Sequence, residues 1–181
     1  MCGSFCTFRK AVDEMKKLKD NGYDILPIMS DTAYSTDTRF GKAKEFISEI
    51  ENIAQKSIVH TIVSAEPIGP KFMCDIMLVA PCTGNTLSKI ANGITDTPVT
   101  MAVKSHLRVE KPVLLCIASN DALGASAQNI GKLLNTKNIY FVPMSQDAPI
   151  EKPNSLISHF ELIEESVKSV QNGIQPQPIF R

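Results

Sequence analysis

The chain has 181 residues, one domain's length, and its 43% apolar content supports a packed core and excludes a disordered chain. Its 19 basic residues are balanced by 19 acidic ones, so no global positive field is available to hold nucleic acid.

After Ser4, the apolar residues Phe8, Ala11, Val12, Met15 and Leu18 recur at helical spacing, and Asn21-Gly22 is the stop signal. Ile25 to Met29 reads as a short buried strand, with Pro27 removing one ladder donor. Ser30 to Thr38 is polar and reads as a loop. A second helix puts Ala43, Phe46, Ile47, Ile50, Ile53 and Ala54 on one face. Ser57 to Val63 fits strand or helix, and Glu66 to Pro70 is a loop. Asp75 to Ala80 is a buried strand, followed by a helix carrying Leu87, Ile90, Ala91 and Ile94. Pro98 to Val103 reads as a short helix, Val113 to Ala118 as a strand and Ala122 to Leu134 as a helix. Ile139 to Val142 is the last strand. The C-terminal helix carries Leu156, Phe160, Ile163, Val167 and Val170 and stops at Gly173, and residues 174–181 form a tail.

Strands alternate with helices, and the strands are continuous apolar runs. That pattern predicts one α/β domain over residues 1–181, a three-layer parallel sheet with helices on both faces. The longest apolar run, Val113 to Ala118, is six residues, against the roughly 20 a membrane helix needs. No apolar leader follows Met1. Five cysteines without CxxC spacing read as reduced thiols of a cytoplasmic protein.

In such a sheet, ligands bind beyond the carboxyl ends of the strands. The segments there are Ser30-Asp31-Thr32, Pro81 to Thr86, Ser119-Asn120-Asp121 and Pro143 to Gln146, with Gly3-Ser4 before the first helix. Glycine admits a close backbone approach, helix N-termini offer free N–H groups, and hydroxyls complete a phosphate cradle. Plain helix capping uses the same residue types and stays open as the alternative. There is no GxxxxGK[ST] loop, complete GxGxxG, GxSxG, HExxH or CxxC, so no metal site is expected. His60, His106 and His159 are scattered and read as surface or incidental core positions. Cys82 stands at a helix start, where a thiol pKa can fall, but a small buried hydrophobe is the simpler role. Lys104, His106 and Arg108 form a local basic cluster, and Arg39 lies before the second helix. Arg39, Lys104 and Arg108 are the candidates for clamping a carboxylate.

The stretch from Ala80 to Asp96, with Pro81-Cys82-Thr83-Gly84-Asn85-Thr86 at its head, resembles the signature of the homo-oligomeric flavin-containing cysteine decarboxylase superfamily. Within it, Ser35 to Gly41, Ala65 to Lys71, Ser119 to Gly124, Thr136 to Ile139 and Gln146 to Ser155 resemble the B-subunit family of dipicolinate synthase from spore-forming bacteria. The resemblance implies a flavodoxin-like Rossmann fold, bound flavin mononucleotide (FMN) and a homo-oligomer. It also implies a partner A subunit that binds NAD(P), and a small dicarboxylate substrate, dihydrodipicolinate, oxidised to dipicolinate in the mother-cell cytoplasm during sporulation. Carried over residue by residue, it assigns Gly3, Ser4, Ser30, Thr32, Thr83, Gly84, Asn85, Thr86, Ser119, Asn120 and Asp121 to the flavin, with Gly84 where the family has alanine.

Two departures stand out. The superfamily's decarboxylases carry a catalytic histidine near the end of the second strand, where Ser30 to Gly41 has none. That weighs against decarboxylation of a cysteine-terminated substrate, and leaves a supporting subunit with a vestigial flavin site as a further reading. The family also has an apolar first strand ahead of the glycine turn. Here only Met1 and Cys2 precede Gly3, and a natural chain longer at its amino end is expected.

Overall fold

The computed structural model describes residues Met1 to Arg181. The first helix, α1, is Phe5–Asp20, and it buries Phe8, Ala11, Val12, Met15 and Leu18, the stripe set by the 3.6-residue period. Gly22 ends it in the left-handed conformation, at φ 89°. A short helix α2, Asp31–Ser35, interrupts the stretch expected to be loop, because the Ser30 side chain caps it by accepting from Ala33 N–H. α3 is Ala43–Ala54, and α4 is the single turn Ile62–Ala65.

Strand β1, Met77–Cys82, leads into α5, Gly84–Ala91. α6, Pro98–Leu107, runs past Val103, and β2 is Val113–Ser119. α7 is Ala127–Leu134, shorter than expected, because Asp121 O accepts from Gly124 and Ser126 N–H and holds the preceding residues in turns. β3 is Ile139–Phe141, β4 is Met144–Ser145 and β5 is Leu156–Ser158. α8, Ile163–Gln171, closes the list of helices. Leu156 therefore belongs to a strand and not to the last helix.

β2 lies between β1 and β3 and pairs parallel with both, with Leu114 opposite Leu78 and Tyr140. The sheet is not wholly parallel. β5 adds antiparallel to the carboxyl end of β2, with Ser119 opposite Leu156, and β4 pairs with β5. Ile28 bridges Val59 in parallel, which is all that forms of the expected strand over Ile25 to Met29. Met1 and Cys2 lie between this bridge and β1. Met1 N donates to Ile28 O at 2.7 Å, Ser30 N to Met1 O at 3.0 Å and Cys2 N to Pro81 O at 3.2 Å.

Both faces of β2 are buried, which explains its unbroken apolar run. Val113, Leu115 and Ile117 pack into one cluster, with Leu87 of α5, Val103 of α6 and Ile130 of α7. Leu114 and Cys116 point the other way, to Ala11 of α1 and Val167 of α8. A third cluster joins α1 to α3 through Phe8, Val12, Phe46 and Ile50.

A cavity of about 350 Å³ separates Ile25 to Ile28 from β1. Leu18, Leu26, Leu78, Ala80 and Val167 are among its walls.

Candidate functional site

The carboxyl ends of β1, β2 and the Ile28 bridge face one edge of the sheet, and the polar loops follow from there. The strand-to-turn step at Cys2 is fixed by its bond to Pro81 O, which sets Gly3 beside the β1 loop. A Cβ at Gly3 would stand 3.3 Å from Thr32 Cγ2, so the first and second loops touch at this point. A Cβ at Gly84 would stand 2.8 Å from Ser119 Oγ and 3.1 Å from Ser126 Oγ, so the third and fourth loops touch as well. Glycine at both positions lets the loops come this close. The edge thus gathers Gly3, Ser4, Ser30, Thr32, Thr83 to Thr86 and Ser119 to Asp121.

Capping accounts for some of these hydroxyls and not for others. Thr83 Oγ1 accepts from Thr86 N–H at 3.2 Å and caps α5, and Ser30 caps α2. Ser4 stands at the N-cap of α1 but makes no capping bond there. Its hydroxyl accepts instead from Thr7 Oγ1 at 3.1 Å. The first-turn N–H groups of an α-helix have no intrahelical acceptors, so Gly84 and Asn85 of α5 present theirs at this edge with the partial positive charge of the helix end. Asn85, Asn120 and Asp121 are exposed, and Ser119 is half-buried. Ser119 Oγ accepts from Asp121 N–H at 3.3 Å and holds the β2 loop in its turn. The loop after β4 closes this side of the site. Leu123 N donates to Asn154 O at 2.9 Å, and Ser155 Oγ donates to Asn120 Oδ1 at 3.5 Å. Two glycines that let the loops approach closely, free helix N–H groups and a ring of hydroxyls and amides form a cradle suited to the phosphate and polar ring edge of a flavin.

The three candidate cations do not come together. Arg39 is exposed, its guanidinium 4.9 Å from the centre of the Phe40 ring, on the turn closed by Thr38 and Gly41. Lys104 is exposed on α6. Arg108 caps the carboxyl end of α6, close in sequence to Lys111, whose ammonium meets Asp75 at 3.3 Å ahead of β1. That is the opposite edge of the sheet. His106 leaves the basic cluster altogether, because its ring is fully buried.

Cys82 is also fully buried, and burial drives its thiol pKa well above the usual range, with Cys2 and Cys116 adding to the rise. A thiolate nucleophile is excluded at this position, and the residue serves as a small core hydrophobe. The sequence alone gives His60 no role. Its ring stacks on Tyr34 at 4.0 Å and 9°, which brings a histidine beside the loop after Ile28. The two are 26 positions apart and only the fold joins them.

Known proteins resemble the chain over nearly its whole length. A family model described as Flavoprotein matches residues 1–174. The B subunit of dipicolinate synthase from Bacillus subtilis (strain 168) is 40% identical over 179 residues, covering 99% of this chain and 90% of that protein. The crystal structure of the dipicolinate synthase B subunit from Bacillus halodurans C superposes with a TM-score of 0.90 at 44% identity, covering 99% of this chain and 92% of that one. The FMN-dependent cysteine decarboxylase SpaF matches at a TM-score of 0.68 and 19% identity, over 95% of this chain and 92% of its own, a likeness of fold. The chain belongs to the Flavoprotein family.

Proposed function

We propose that the chain binds FMN at the carboxyl edge of its sheet and works as the B-type member of a dipicolinate-forming pair, oxidising dihydrodipicolinate together with an A-type partner that binds NAD(P). The observation that carries this reading is the touching of the loops at Gly3 and at Gly84, in a chain 40% identical over nearly its whole length to a dipicolinate synthase B subunit.

Conversion of the dihydro ring to the aromatic one removes two electrons and two protons. A bound flavin supplies a two-electron acceptor for that change. The chain's own residues bind and orient. Gly3 and Gly84 let the loops close on each other beside the phosphate side, and the first-turn N–H groups of α1 and α5 take the anion. Ser119, Asn120 and Asp121 offer hydroxyl, amide and carboxylate groups to the polar edge of the ring. Arg39, on the turn beyond the Thr32 loop, takes a substrate carboxylate in a charge-assisted bond. The sheet edge is continuous with the exposed β4–β5 loop, a surface open to a partner protein. No helix is long and apolar enough to cross a membrane, and we place the reaction in the cytoplasm.

Arg39→Ala tests the substrate role. Its apparent KM for dihydrodipicolinate is expected to rise roughly tenfold or more while FMN affinity is retained. An unchanged KM would remove Arg39 from the site.

A further inference from the structure

Ser145 and His159 take no part in the cradle, and the β4–β5 ladder brings them together. Ser145 pairs with Ile157, one step from the pair Met144 and Ser158. His159 is the second residue beyond Ile157, which makes it the diagonal neighbour of Ser145 on the same face of the ladder. The His159 backbone N–H donates to Pro143 O at 2.8 Å and carries the pairing past Ser158. The chain then enters the 3-10 turn Phe160–Leu162, which returns Glu161 to the imidazole ring.

The three side chains form one hydrogen-bonded line. Ser145 Oγ lies 3.1 Å from His159 Nε2, and His159 Nδ1 lies 3.2 Å from Glu161 Oε1. A carboxylate only accepts, so Nδ1 carries the ring proton. Nε2 then holds a lone pair, and the Ser145 hydroxyl, which has no other partner in the protein, donates to it. The Glu161 carboxyl is held below the ordinary glutamate range, first by its own backbone N–H, with His159 and Lys10 of α1 adding to the fall. Lys17 of α1 also faces this carboxylate, although its own ion pair is with Glu14. The other two histidines have no such chain, since His106 lacks any hydrogen-bond partner and His60 stacks on Tyr34.

A serine proton directed at a histidine, and a histidine oriented by a carboxylate, are the parts of an activated nucleophile. The Gln146 N–H follows Ser145 in the chain and no protein group accepts from it, so it is available to a developing oxyanion. We infer that Ser145, His159 and Glu161 form a hydrolytic centre for small carboxylic esters, beside the flavin cradle and independent of the proposed function. Ser145 is half-buried and the His159 side chain is 28% exposed, so the centre opens to solvent and takes an unhindered acyl group. Ser145 Oγ bonds to the ester carbonyl carbon while His159 Nε2 takes the hydroxyl proton. The bond from that carbon to the alcohol oxygen breaks, and the alcohol leaves with the electron pair and the proton from His159. Water then attacks the acyl-serine and gives a proton to His159. The acid departs, and Ser145 Oγ recovers its proton from the ring. Ester and water become acid and alcohol, with no change of oxidation state.

The test treats the full chain with p-nitrophenyl acetate and maps the acetyl group by mass spectrometry after an acid quench. Acetyl on Ser145 is expected, with p-nitrophenol released roughly a hundredfold faster than by Ser145→Ala or His159→Gln at matched Tm. A fluorophosphonate should label Ser145 of the unaltered chain, a readout that needs no variant. Glu161 acts through the ring as a positioning residue. Glu161→Gln should lower kcat with KM retained, and should move the rising limb of the pH profile to lower pH, because the imidazolium loses its carboxylate. A merely structural role would leave that limb in place. Acetyl found on His159 or on lysines without Ser145 would overturn the centre, as would an unlabelled Ser145 or a Ser145→Ala variant as fast as the parent. An unmoved pH profile in Glu161→Gln would overturn the part given to Glu161.

Discussion

Gly84 stands where the β1 and β2 loops meet. A Cβ placed on it would lie 2.8 Å from Ser119 Oγ and 3.1 Å from Ser126 Oγ, so these two hydroxyls have to turn aside. The resembled flavin-binding signature carries alanine here, so Gly84→Ala is expected to leave FMN affinity within about threefold, whereas the bulkier Gly84→Val is expected to lower it by roughly tenfold, both with little change in Tm, because both loops are near the surface. Fluorescence titration with FMN and a melting curve check the two halves of that statement. His106 makes a prediction of a different sort. Its ring is buried with no hydrogen-bond partner on either nitrogen, and burial pulls its pKa below the ordinary value. The folded chain thus holds the ring neutral, while the unfolded chain takes up a proton near pH 6.5. Stability is retained above about pH 6.5 and lost as pH falls below it. A Tm series should decline through that window, and His106→Leu should flatten the decline. An equally steep decline in the variant would place the acid sensitivity elsewhere. None of this is visible in the sequence, where Lys104, His106 and Arg108 look like one basic cluster. On α6 Lys104 and Arg108 share one exposed side, His106 between them turns to the buried side, and only the fold separates the ring from the cations.

Elements with a strong period are legible in the chain, and those made by distant pairing are not. The stripe from Phe8 to Leu18 marks α1, and Val113 to Ala118 marks β2, because burial on one stripe or on both faces writes itself into the residue pattern. β4 and β5 carry two and three residues and exist through pairing with each other and with Ser119. Short apolar pieces of that kind carry no period of their own, which is why Leu156 reads as helical in the sequence. β2 is the most buried strand, and Leu115→Ala should cost about 2–5 kcal/mol in chemical denaturation, since Leu115 packs in the largest cluster. The tail shows a subtler device. The Gln175 side chain accepts from Phe141 N–H at 2.9 Å and donates to Phe141 O at 2.7 Å, standing in for a neighbouring strand along the free side of β3. Met144 N bonds Ile179 O, and Arg181 N bonds Met144 O, so the tail also covers β4. Gln175→Ala should cost about 1–3 kcal/mol and speed hydrogen exchange at the Phe141 amide. Unchanged exchange there would deny the tail this role.

Across the chain, alternation of strand and helix points to a doubly wound sheet with its ligand edge at the strand ends, and the loops from Gly3, Thr32, Gly84 and Ser119 do meet there. The identity of the loops is legible because glycine and hydroxyl residues sit at the strand-to-helix steps. Their contacts are not, since each joins residues far apart in the chain. The same holds for His60, which only tertiary stacking brings next to Tyr34. If this edge holds a flavin used in making dipicolinate with a partner protein, the product itself is the sharpest readout. Dipicolinate formed from dihydrodipicolinate is measured for the protein with an NAD(P)-binding A-type partner, with and without FMN. Product is expected when protein, partner and FMN are all present, with a loss of at least tenfold in rate when the protein or FMN is left out. Product formed at the full rate by the partner alone, or by the pair without flavin, would refute the flavin-dependent role.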